Sequence, residues 1–206
     1  MVASVKRDSK LRMTMAAIDL FHRHGVNGTS VDQVLAQSET GKSQFSHYFQ
    51  NKEGMVCFAV QHLHELIETG QTPTGYDIAS WRDFEGWFQK FIDFQESVGC
   101  ERSCPVGTIA ADLTDDDEQA RAAVLRFLDW SRGRLEKFFL ERKAAGDLVP
   151  EAKPRQLADF CISIMQGGML LSKMRRDTEM FRNSAAQAIR YVRSLRRIQK
   201  KRRSQS

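Results

Sequence analysis

Residues 29–53, TSVDQVLAQSETGKSQFSHYFQNKE, contain two short helical patterns separated by a break. Thr29 and Ser30 each precede an acid or amide three residues later, which is the spacing of a capping box at a helix start. Apolar residues then recur at helical spacing: Val31, Val34 and Leu35. Residues 38–41, SETG, end this pattern. The first pattern therefore predicts a helix of about two turns.

The second pattern, from Lys42 to Phe49, has one apolar and one polar face. The apolar stripe consists of Phe45, Tyr48 and Phe49. The opposite face carries a cation, hydroxyls, an amide and an imidazole: Lys42, Ser43, Gln44, Ser46 and His47. Such side chains donate hydrogen bonds to phosphates and base edges in a major groove. Two short helices joined by a tight turn, the second with this face, predict a helix-turn-helix DNA reader.

The first quarter of the chain resembles the DNA-binding domain of TetR-type transcriptional repressors. The matching segments are Leu11-x-x-x-Met15-Ala16-Ala17-x-x-Leu20-Phe21, His24-Gly25-x-x-x-Thr29-Ser30-Val31, Gly41-Lys42-Ser43-Gln44-Phe45, His47-Tyr48-Phe49 and Asn51-Lys52-Glu53. Two positions depart from the family. Glu39 stands where the family often has Gly, and we expect it to strain the turn or shift it by one residue. Ser46 stands where the family usually has Tyr, which changes the contact expected there.

Nine residues are candidates for DNA contact. Thr29 and Lys52 stand at helix N-termini beside the reading helix, where phosphates bind; Lys52 is alternatively a solvated side chain. Lysine suits guanine and glutamine suits adenine, so we expect base contacts from Lys42, Ser43 and Gln44. The resemblance implies backbone contacts from His47 and Tyr48, although Tyr48 also fits a core position. Ser30 and Ser46 complete the set.

Composition indicates a globular protein rather than a membrane or secreted one. The chain has 206 residues, of which 41% are hydrophobic and 28% charged. No run of about 18 apolar residues is present to span a bilayer, and the N-terminus lacks the apolar core of a signal peptide. The four cysteines show no zinc-site spacing. We therefore expect a cytoplasmic protein with reduced thiols, no metal and no cofactor.

Sequence motifs of common enzymes are missing. G-x-x-x-x-G-K-[ST], G-x-S-x-G and H-E-x-x-H do not occur. Gly41-Lys42-Ser43 matches only the end of a phosphate-binding loop, without the upstream glycine. We do not expect an enzyme.

The positive charge is concentrated near the C-terminus. The net charge is +5 and the isoelectric point about 9.1, which favours a polyanionic partner. Residues 190–203 contain eight Lys or Arg and no acid. This segment is either a solvated helix end or a supplementary DNA contact. A protein of another class, a non-specific basic binder of nucleic acid, is the alternative that it suggests.

Periodicity predicts an all-α protein of about nine helices. The predicted bounds are about Asp8–His24, the two short helices above, a fourth from Asn51 to near Gly70, then Ile78–Val98, Pro105–Leu113, Asp116–Ala145, Pro154–Arg176 and Thr178–Arg197. The first has the apolar stripe Leu11, Met15, Ile18 and Phe21. We predict a helix-turn-helix DNA-binding domain at 1–52, a larger helical effector-binding and dimerisation domain at 53–200, and a basic tail at 201–206.

The second part of the chain is similar to the C-terminal domain of a TetR subgroup that often senses aromatic compounds or reactive electrophiles. The matching segments are Cys104-Pro105-Val106-Gly107-x-x-Ala110-Ala111-Asp112-Leu113, Ala145-Gly146-Asp147-Leu148 and Leu170-Leu171-x-Lys173-x-Arg175-Arg176-Asp177. The resemblance implies a small-molecule effector, apolar or aromatic. Candidate ligand-binding residues are His62, Trp87, Phe91, Cys104, Phe127, Trp130, Met165 and Met169. Each is alternatively an ordinary core residue.

Cys104 has two interpretations. It stands just before a predicted helix start, which lowers a thiol pKa, and Lys173 occupies the position of a lysine that supports a reactive thiol in some relatives. A thiol-based sensor of oxidants or electrophiles is therefore an alternative to a ligand-released repressor. A buried, small apolar residue is the other interpretation.

The resemblance also implies a homodimer, because the family pairs its last two long helices into a four-helix bundle. The residues expected at the dimer interface are Gly167, Gly168, Leu171, Ile189, Val192 and Leu195; packing within one chain is the alternative. Two readers related by a two-fold axis would bind a near-palindromic operator. Effector binding would shift the fourth helix and release DNA, which makes a ligand-released repressor the expected function.

Overall fold

The computed structural model describes residues 2–197, with the side chains of residues 9–197. These residues form nine α-helices and no β-strand, which confirms the predicted all-α fold. The helices are Val2–His24 (α1), Val31–Ser38 (α2), Lys42–Phe49 (α3), Lys52–Glu68 (α4), Trp81–Ser97 (α5), Pro105–Asp112 (α6), Glu118–Ala144 (α7), Pro154–Arg175 (α8) and Glu179–Ser194 (α9). Helices α1–α3 form the N-terminal unit, and α4 continues from it into the body built by α5–α9.

Helix α1 buries a different stripe from the one predicted. Its fully enclosed residues include Met13, Ala17 and Phe21. Leu11 and Met15 are exposed by 47% and 44%, so they were wrongly assigned to the core face. The reason is that α1 must contact α2, α3 and α4 together, and this wide contact rotates the buried face away from the Leu11–Met15 stripe.

The turn between α2 and α3 is set by two local features. Ser30 caps α2: its hydroxyl accepts from the Gln33 N–H at 3.2 Å while the Gln33 amide oxygen accepts from the Ser30 N–H at 2.7 Å. At the other end Glu39 adopts the left-handed conformation, with φ of 52°. Its N–H still donates to helical carbonyls, so Glu39 occupies the strained C-terminal position without shifting the turn.

The body is held by aromatic side chains on α5 and α7 and by close packing of α8 on α9. Phe84 contacts Phe138 and Phe139 with ring centroids 5.7 and 5.2 Å apart. Gly168 of α8 lies directly against the ring of Phe181 on α9. A glycine is required there because no side-chain atom fits between the two helices.

Helix α9 ends at Ser194, before the predicted Arg197. The following residues pair with the loop between α7 and α8: the Val149 N–H donates to Leu195 O, and the Arg197 N–H donates to Asp147 O. Competition from these hydrogen bonds ends the helix. The predicted basic tail at 201–206 lies outside the described residues.

Replacing Glu39 by Gly should stabilise the protein. A non-glycine residue in the left-handed region costs about 1–2 kcal/mol, whereas glycine adds about 0.5–1 kcal/mol of unfolded-state entropy. We expect the free energy of unfolding in urea to rise by up to about 1 kcal/mol. Glu39→Gln keeps the backbone constraint and removes the charge, so an equal gain in that variant would contradict the backbone explanation.

Gly168→Ala should lower the free energy of unfolding. The added methyl group overlaps the Phe181 ring, and overpacking of this kind costs about 1–3 kcal/mol. Gly133→Ala in the middle of α7 is the control, since a methyl group there meets no atom within 4 Å. That variant should gain up to about 1 kcal/mol from helix propensity. Equal effects of the two substitutions in urea unfolding would argue against tight α8–α9 packing.

Candidate DNA-binding surface and effector domain

Helix α3 is attached by its apolar side and presents its polar side to solvent. Phe45 and Phe49 are buried, with ring centroids 5.6 Å apart, and Phe49 also meets Phe58 of α4 at 5.4 Å. The opposite side consists of exposed side chains that can donate hydrogen bonds: Lys42, Ser43, Ser46 and His47. This face has the chemistry needed to contact phosphates and base edges in a groove.

Lys42 is held only weakly. Its Nζ lies 3.2 Å from Asp32 Oδ1, and the two side chains are 80% and 72% exposed. An ion pair this exposed contributes little in water. The ammonium group is therefore available to exchange Asp32 for a phosphate or a base.

Two predicted DNA contacts make side-chain hydrogen bonds within the chain: Thr29 is buried, and Gln44 is half-buried. Thr29 is buried, and its hydroxyl donates to Gly25 O at 2.8 Å. The Gln44 amide oxygen accepts from the Gly41 N–H at 3.2 Å, and its Nε2 donates to Ser9 Oγ at 3.3 Å. The structure therefore gives Thr29 and Gln44 roles in holding the turn and the start of α3.

The other predicted contacts surround α3. Ser30 is exposed at the start of α2, where it serves as the N-cap. Lys52 is the first residue of α4 and is half-buried, and Tyr48 is half-buried against the core. Asn51 caps α4 through a 2.8 Å hydrogen bond from the Gly54 N–H.

The N-terminal unit is joined to the body through α1 and the segment that leads into α6. His22 is buried, stacks on Phe94 with centroids 6.4 Å apart, and its Nε2–H donates to Ser103 O at 2.7 Å. The Asn27 N–H donates to the Asp112 carboxylate at 3.1 Å. These residues are not evident from the sequence, because single polar side chains carry no periodic signal.

A second junction connects α4 to α7. One oxygen of Glu53 accepts from the N–H groups of Gln119 and Ala120 at 2.9 and 3.3 Å. The carboxylate therefore caps the positive end of α7. Glu53 belongs to the Asn-Lys-Glu motif at the end of the reader, so the reader and the body share this residue.

An aromatic cluster lies in the body between α4, α5 and α7. The aromatic cluster consists of six rings that contact one another: His64, Tyr76, Trp87, Phe91, Phe127 and Trp130. Its links include Tyr76–Trp130 at 5.2 Å, Tyr76–Trp87 at 5.7 Å and Phe127–Trp130 at 5.9 Å between centroids. The structure thus brings together four predicted ligand-binding residues and adds two that were not predicted. Tyr76 was missed because it lies on a loop; burial raises the pKa of its phenol.

His62 has to be separated from this group. Its Nδ1 lies 3.3 Å from Glu65 Oε2, and its side chain lines a surface groove between α1 and α4 with Lys10 and Phe58. His64 instead meets Trp130 at 4.5 Å and Phe127 at 5.7 Å. Both histidines lie on α4, two residues apart. Only the packing of α4 on α7 decides which of them faces the body.

Cys104 is the N-cap of α6. Its Sγ accepts from the Gly107 N–H at 3.4 Å and from Gln166 Nε2 at 3.5 Å. Burial outweighs these hydrogen bonds and raises the pKa of the thiol. A raised pKa keeps the sulfur protonated and a poor nucleophile, which disfavours the reactive-thiol alternative in this conformation.

The remaining ligand-binding candidates, Met165 and Met169, are buried on α8.

A polar side chain of the same domain is also enclosed. Gln95 of α5 is 0% exposed, and neither the oxygen nor the nitrogen of its amide has a hydrogen-bond partner within the described part. Buried polar atoms without partners are costly. Gln95 therefore marks a place where a ligand or water would be accommodated.

Helices α8 and α9 present an outward apolar surface. This α8–α9 surface consists of Phe160, Leu170, Leu171, Met174, Met180 and Tyr191. The rings of Phe160 and Tyr191 meet at 5.7 Å and so join the two helices. Leu171 was predicted there, and Gly167, Ile189 and Leu195 are half-buried.

Gly168 and Val192 were wrongly predicted to face a partner. Gly168 packs on Phe181, and Val192 is 0% exposed. The side of α8 that carries Gly168 and the side of α9 that carries Val192 pack against each other within the chain. Because one helix carries apolar residues on two sides, spacing alone does not distinguish the inner side from the outer.

Among the side chains of residues 9–197, no group of three or more His, Cys, Asp or Glu is placed to hold a metal ion. Within residues 2–197, no helix has the length and apolarity needed to cross a bilayer.

Comparison with known proteins assigns both parts of the chain. A family model for "Bacterial regulatory proteins, tetR family" matches residues 14–56, and one for "Tetracyclin repressor-like, C-terminal domain" matches residues 84–189. The transcriptional repressor DhaR of Mycobacterium sp. (strain GP1) is 24% identical over 162 residues, 78% of this chain and 80% of that protein. The regulator AcuR of Cereibacter sphaeroides is 23% identical over 174 residues, 84% and 78% of the two chains.

Solved structures show the same fold. A TetR regulator from Chloroflexus aurantiacus superposes with a TM-score of 0.79 at 18% identity, covering 95% of this chain and 99% of that one. The reduced form of NemR from E. coli gives 0.72 at 20% identity, covering 92% and 97%.

Acidification should weaken the His22 junction. Burial lowers the pKa of His22, and the nearby cations Arg102 and Lys173 lower it further, while the Ser103 hydrogen bond and Asp19 oppose this. The folded state therefore keeps His22 neutral at a pH where the unfolded chain takes up a proton. Stability is fully present above the ordinary value of about 6.5 and falls below it, by at most about 1.4 kcal/mol per pH unit.

The measurement is urea unfolding between pH 5 and 8 for the natural chain and for His22→Gln, whose amide still donates to Ser103 O. The variant should lose less stability on acidification. Parallel pH profiles would contradict the assignment.

Proposed function

The chain belongs to the TetR family of helix-turn-helix transcriptional regulators, and on this basis we propose that it is a homodimeric repressor released from DNA by a small ligand. The observation that carries the proposal is the polar face of α3, on which Lys42 and His47 are exposed while the buried Phe45 and Phe49 fix the helix. We place the protein in the cytoplasm, with its operator.

A single α3 covers only a few base pairs. Two copies joined through the α8–α9 surface would present two readers to a near-palindromic operator, spaced by about one or more helical turns. The support is the number of large apolar side chains that are exposed together on these two helices, since a continuous apolar patch marks an interaction surface.

The effector is proposed to be an aromatic or apolar small molecule bound in the body, as in the subgroup that the C-terminal segments resemble. The aromatic cluster and the unpartnered amide of Gln95 support this assignment. Rings provide flat contact area and the enclosed amide provides a polar anchor. Helix α4 contributes to both the reader junction and the cluster, so a ligand that displaces it would change the spacing of the two readers.

The alternative, a non-specific basic binder, is weakened because two cations of the basic C-terminal segment are engaged in contacts within the chain. Arg193 and Arg196 lie 2.6 and 3.6 Å from the carboxylate of Glu85. The Arg196 guanidinium also stacks 4.5 Å from the Trp81 ring. These two cations of the C-terminal segment therefore hold α9 to α5.

Selection of bound sequences from a random DNA pool, at near-physiological salt, tests the function. A near-palindromic winner bound far more tightly than random DNA would support the repressor. Equal binding of all sequences, lost on deletion of residues 198–206, would favour the non-specific binder instead.

Lys42→Ala and His47→Ala should weaken binding of the selected operator without unfolding the protein, because both side chains are exposed. If Lys42 contacts a phosphate, the slope of log affinity against log salt should fall by about 1. The control is Lys137→Ala on α7, a lysine 71% exposed in a surface pair like that of Lys42. Unchanged operator affinity in both α3 variants would remove α3 as the reader.

Leu170→Glu should convert the dimer to a monomer by placing a charge in the α8–α9 surface. Light scattering should report twice the 23.6 kDa chain mass for the natural protein and a single chain mass for the variant. Leu125→Glu on α7 is the matched control, because Leu125 is 52% exposed and Leu170 is 53% exposed. Dissociation by both substitutions, or by neither, would contradict this interface.

A further inference from the structure

A small pocket of about 270 Å³ opens between α4 and α7, beside the aromatic cluster. It is lined by Val60, Gln61, His64, Ala123 and Arg126. Ala123 lies opposite α4, and its small side chain leaves room for the pocket between the two helices. Basic and neutral polar groups line this pocket, and none of the lining residues is an acid.

Arg126 forms no ion pair and no hydrogen bond with any residue of the described part. Most other arginines of the body are engaged, as Arg134 is with Asp77 at 2.8 Å and Arg132 is with Asp129 at 2.8 Å. The charge of Arg126 reaches Cys57, whose thiol pKa is raised by burial and by Glu53, and Arg126 opposes that rise. Arg126 is exposed, so water solvates its guanidinium at present. The guanidinium has no internal carboxylate to give up, and a carboxylate entering the pocket could replace that water with a bidentate pair of hydrogen bonds.

His64 supplies a second donor at the same wall. Its Nε2 is enclosed without a partner, on a ring that contacts Trp130 and Phe127. Its Nδ1 makes no hydrogen bond within residues 2–197 and is not enclosed, so it is the ring nitrogen accessible from the pocket. With the proton on Nδ1, the imidazole donates to an acceptor while its edge stays packed in the aromatic cluster.

We propose that this pocket binds the carboxylate of a small organic acid, held by the Arg126 guanidinium and the His64 Nδ1–H. The inference rests on the proposed function and narrows its effector to an acid, with an aromatic or short aliphatic remainder packed against Val60 and Ala123. Arg126 would provide the positive charge that attracts the carboxylate, and the His64 N–H would orient it through a hydrogen bond.

The position of the pocket connects it to the DNA-binding surface. Glu53 caps α7 at one end of the α4–α7 interface, and His64 contacts Trp130 at the other. The pocket lies between these two contacts. A carboxylate that draws Arg126 towards His64 therefore acts on the same pair of helices that joins the reader to the body.

The test is calorimetric titration of the full chain with acetate, benzoate and phenylacetate, each compared with its primary amide. At least one carboxylate should bind, and its amide should bind about tenfold or more weakly, because loss of a charged hydrogen bond costs at least that factor. Arg126→Gln and His64→Phe should each lower carboxylate affinity by about tenfold. Arg82→Gln, at an exposed arginine of α5, is the control and should bind as the natural chain does.

Three results would overturn the site: no carboxylate binds, the amides bind equally well, or Arg126→Gln binds as tightly as the natural chain. A thermal unfolding midpoint close to that of the natural chain checks that each variant is folded. Phenylalanine is chosen at position 64 because its ring can keep the contacts with Phe127 and Trp130 while removing the N–H donor.

Operator binding separates this inference from the proposed function. If Arg126→Gln binds the selected operator normally but is no longer released by the carboxylate, both stand. If carboxylates bind through Arg126 but no specific operator is selected, the acid site stands and the repressor proposal falls. If the operator is bound and no carboxylate binds, only the acid site falls.

Discussion

The packing of Phe45 and Phe49 is the constraint on which the DNA-binding surface depends. Helix α3 has eight residues, and isolated helices of that length are not stable in water. It exists because two aromatic side chains, one turn apart, are buried where α3 packs against α1 and α4. The same anchoring fixes which side faces outward, so Ser46 and His47, between the two aromatics, are presented to solvent.

The reader is attached to the body by polar contacts with backbone groups at helix ends. His22 donates to the carbonyl of Ser103 just before α6, and Glu53 accepts from the first N–H groups of α7. Such contacts depend on direction and distance far more than apolar packing does. A small displacement of α4 or α6 therefore breaks or forms them, which is consistent with the proposed release of DNA on ligand binding.

The features of the body on which the proposals rest lie where α4 meets α7. This interface carries the cap of α7, the small pocket with Arg126, and the edge of the aromatic cluster at His64. Cys104 lies elsewhere, enclosed at the start of α6 with a raised thiol pKa. The placement favours reversible binding of a small molecule over oxidation as the signal.

The sequence by itself determined the all-α fold, the reader and the order of the helices, because caps, glycine breaks and apolar spacing act over a few residues. It indicated Ser30 as a cap and Glu39 as a strained position for the same reason. Only the tertiary structure decided which of two similar residues serves which purpose. Thr29 is buried, Gln44 bonds to Gly41 and Ser9, His64 rather than His62 contacts the aromatic cluster, and Gly168 and Val192 pack where α8 meets α9. These outcomes depend on contacts between residues distant in sequence, and a helix does not specify its own rotation against its neighbours.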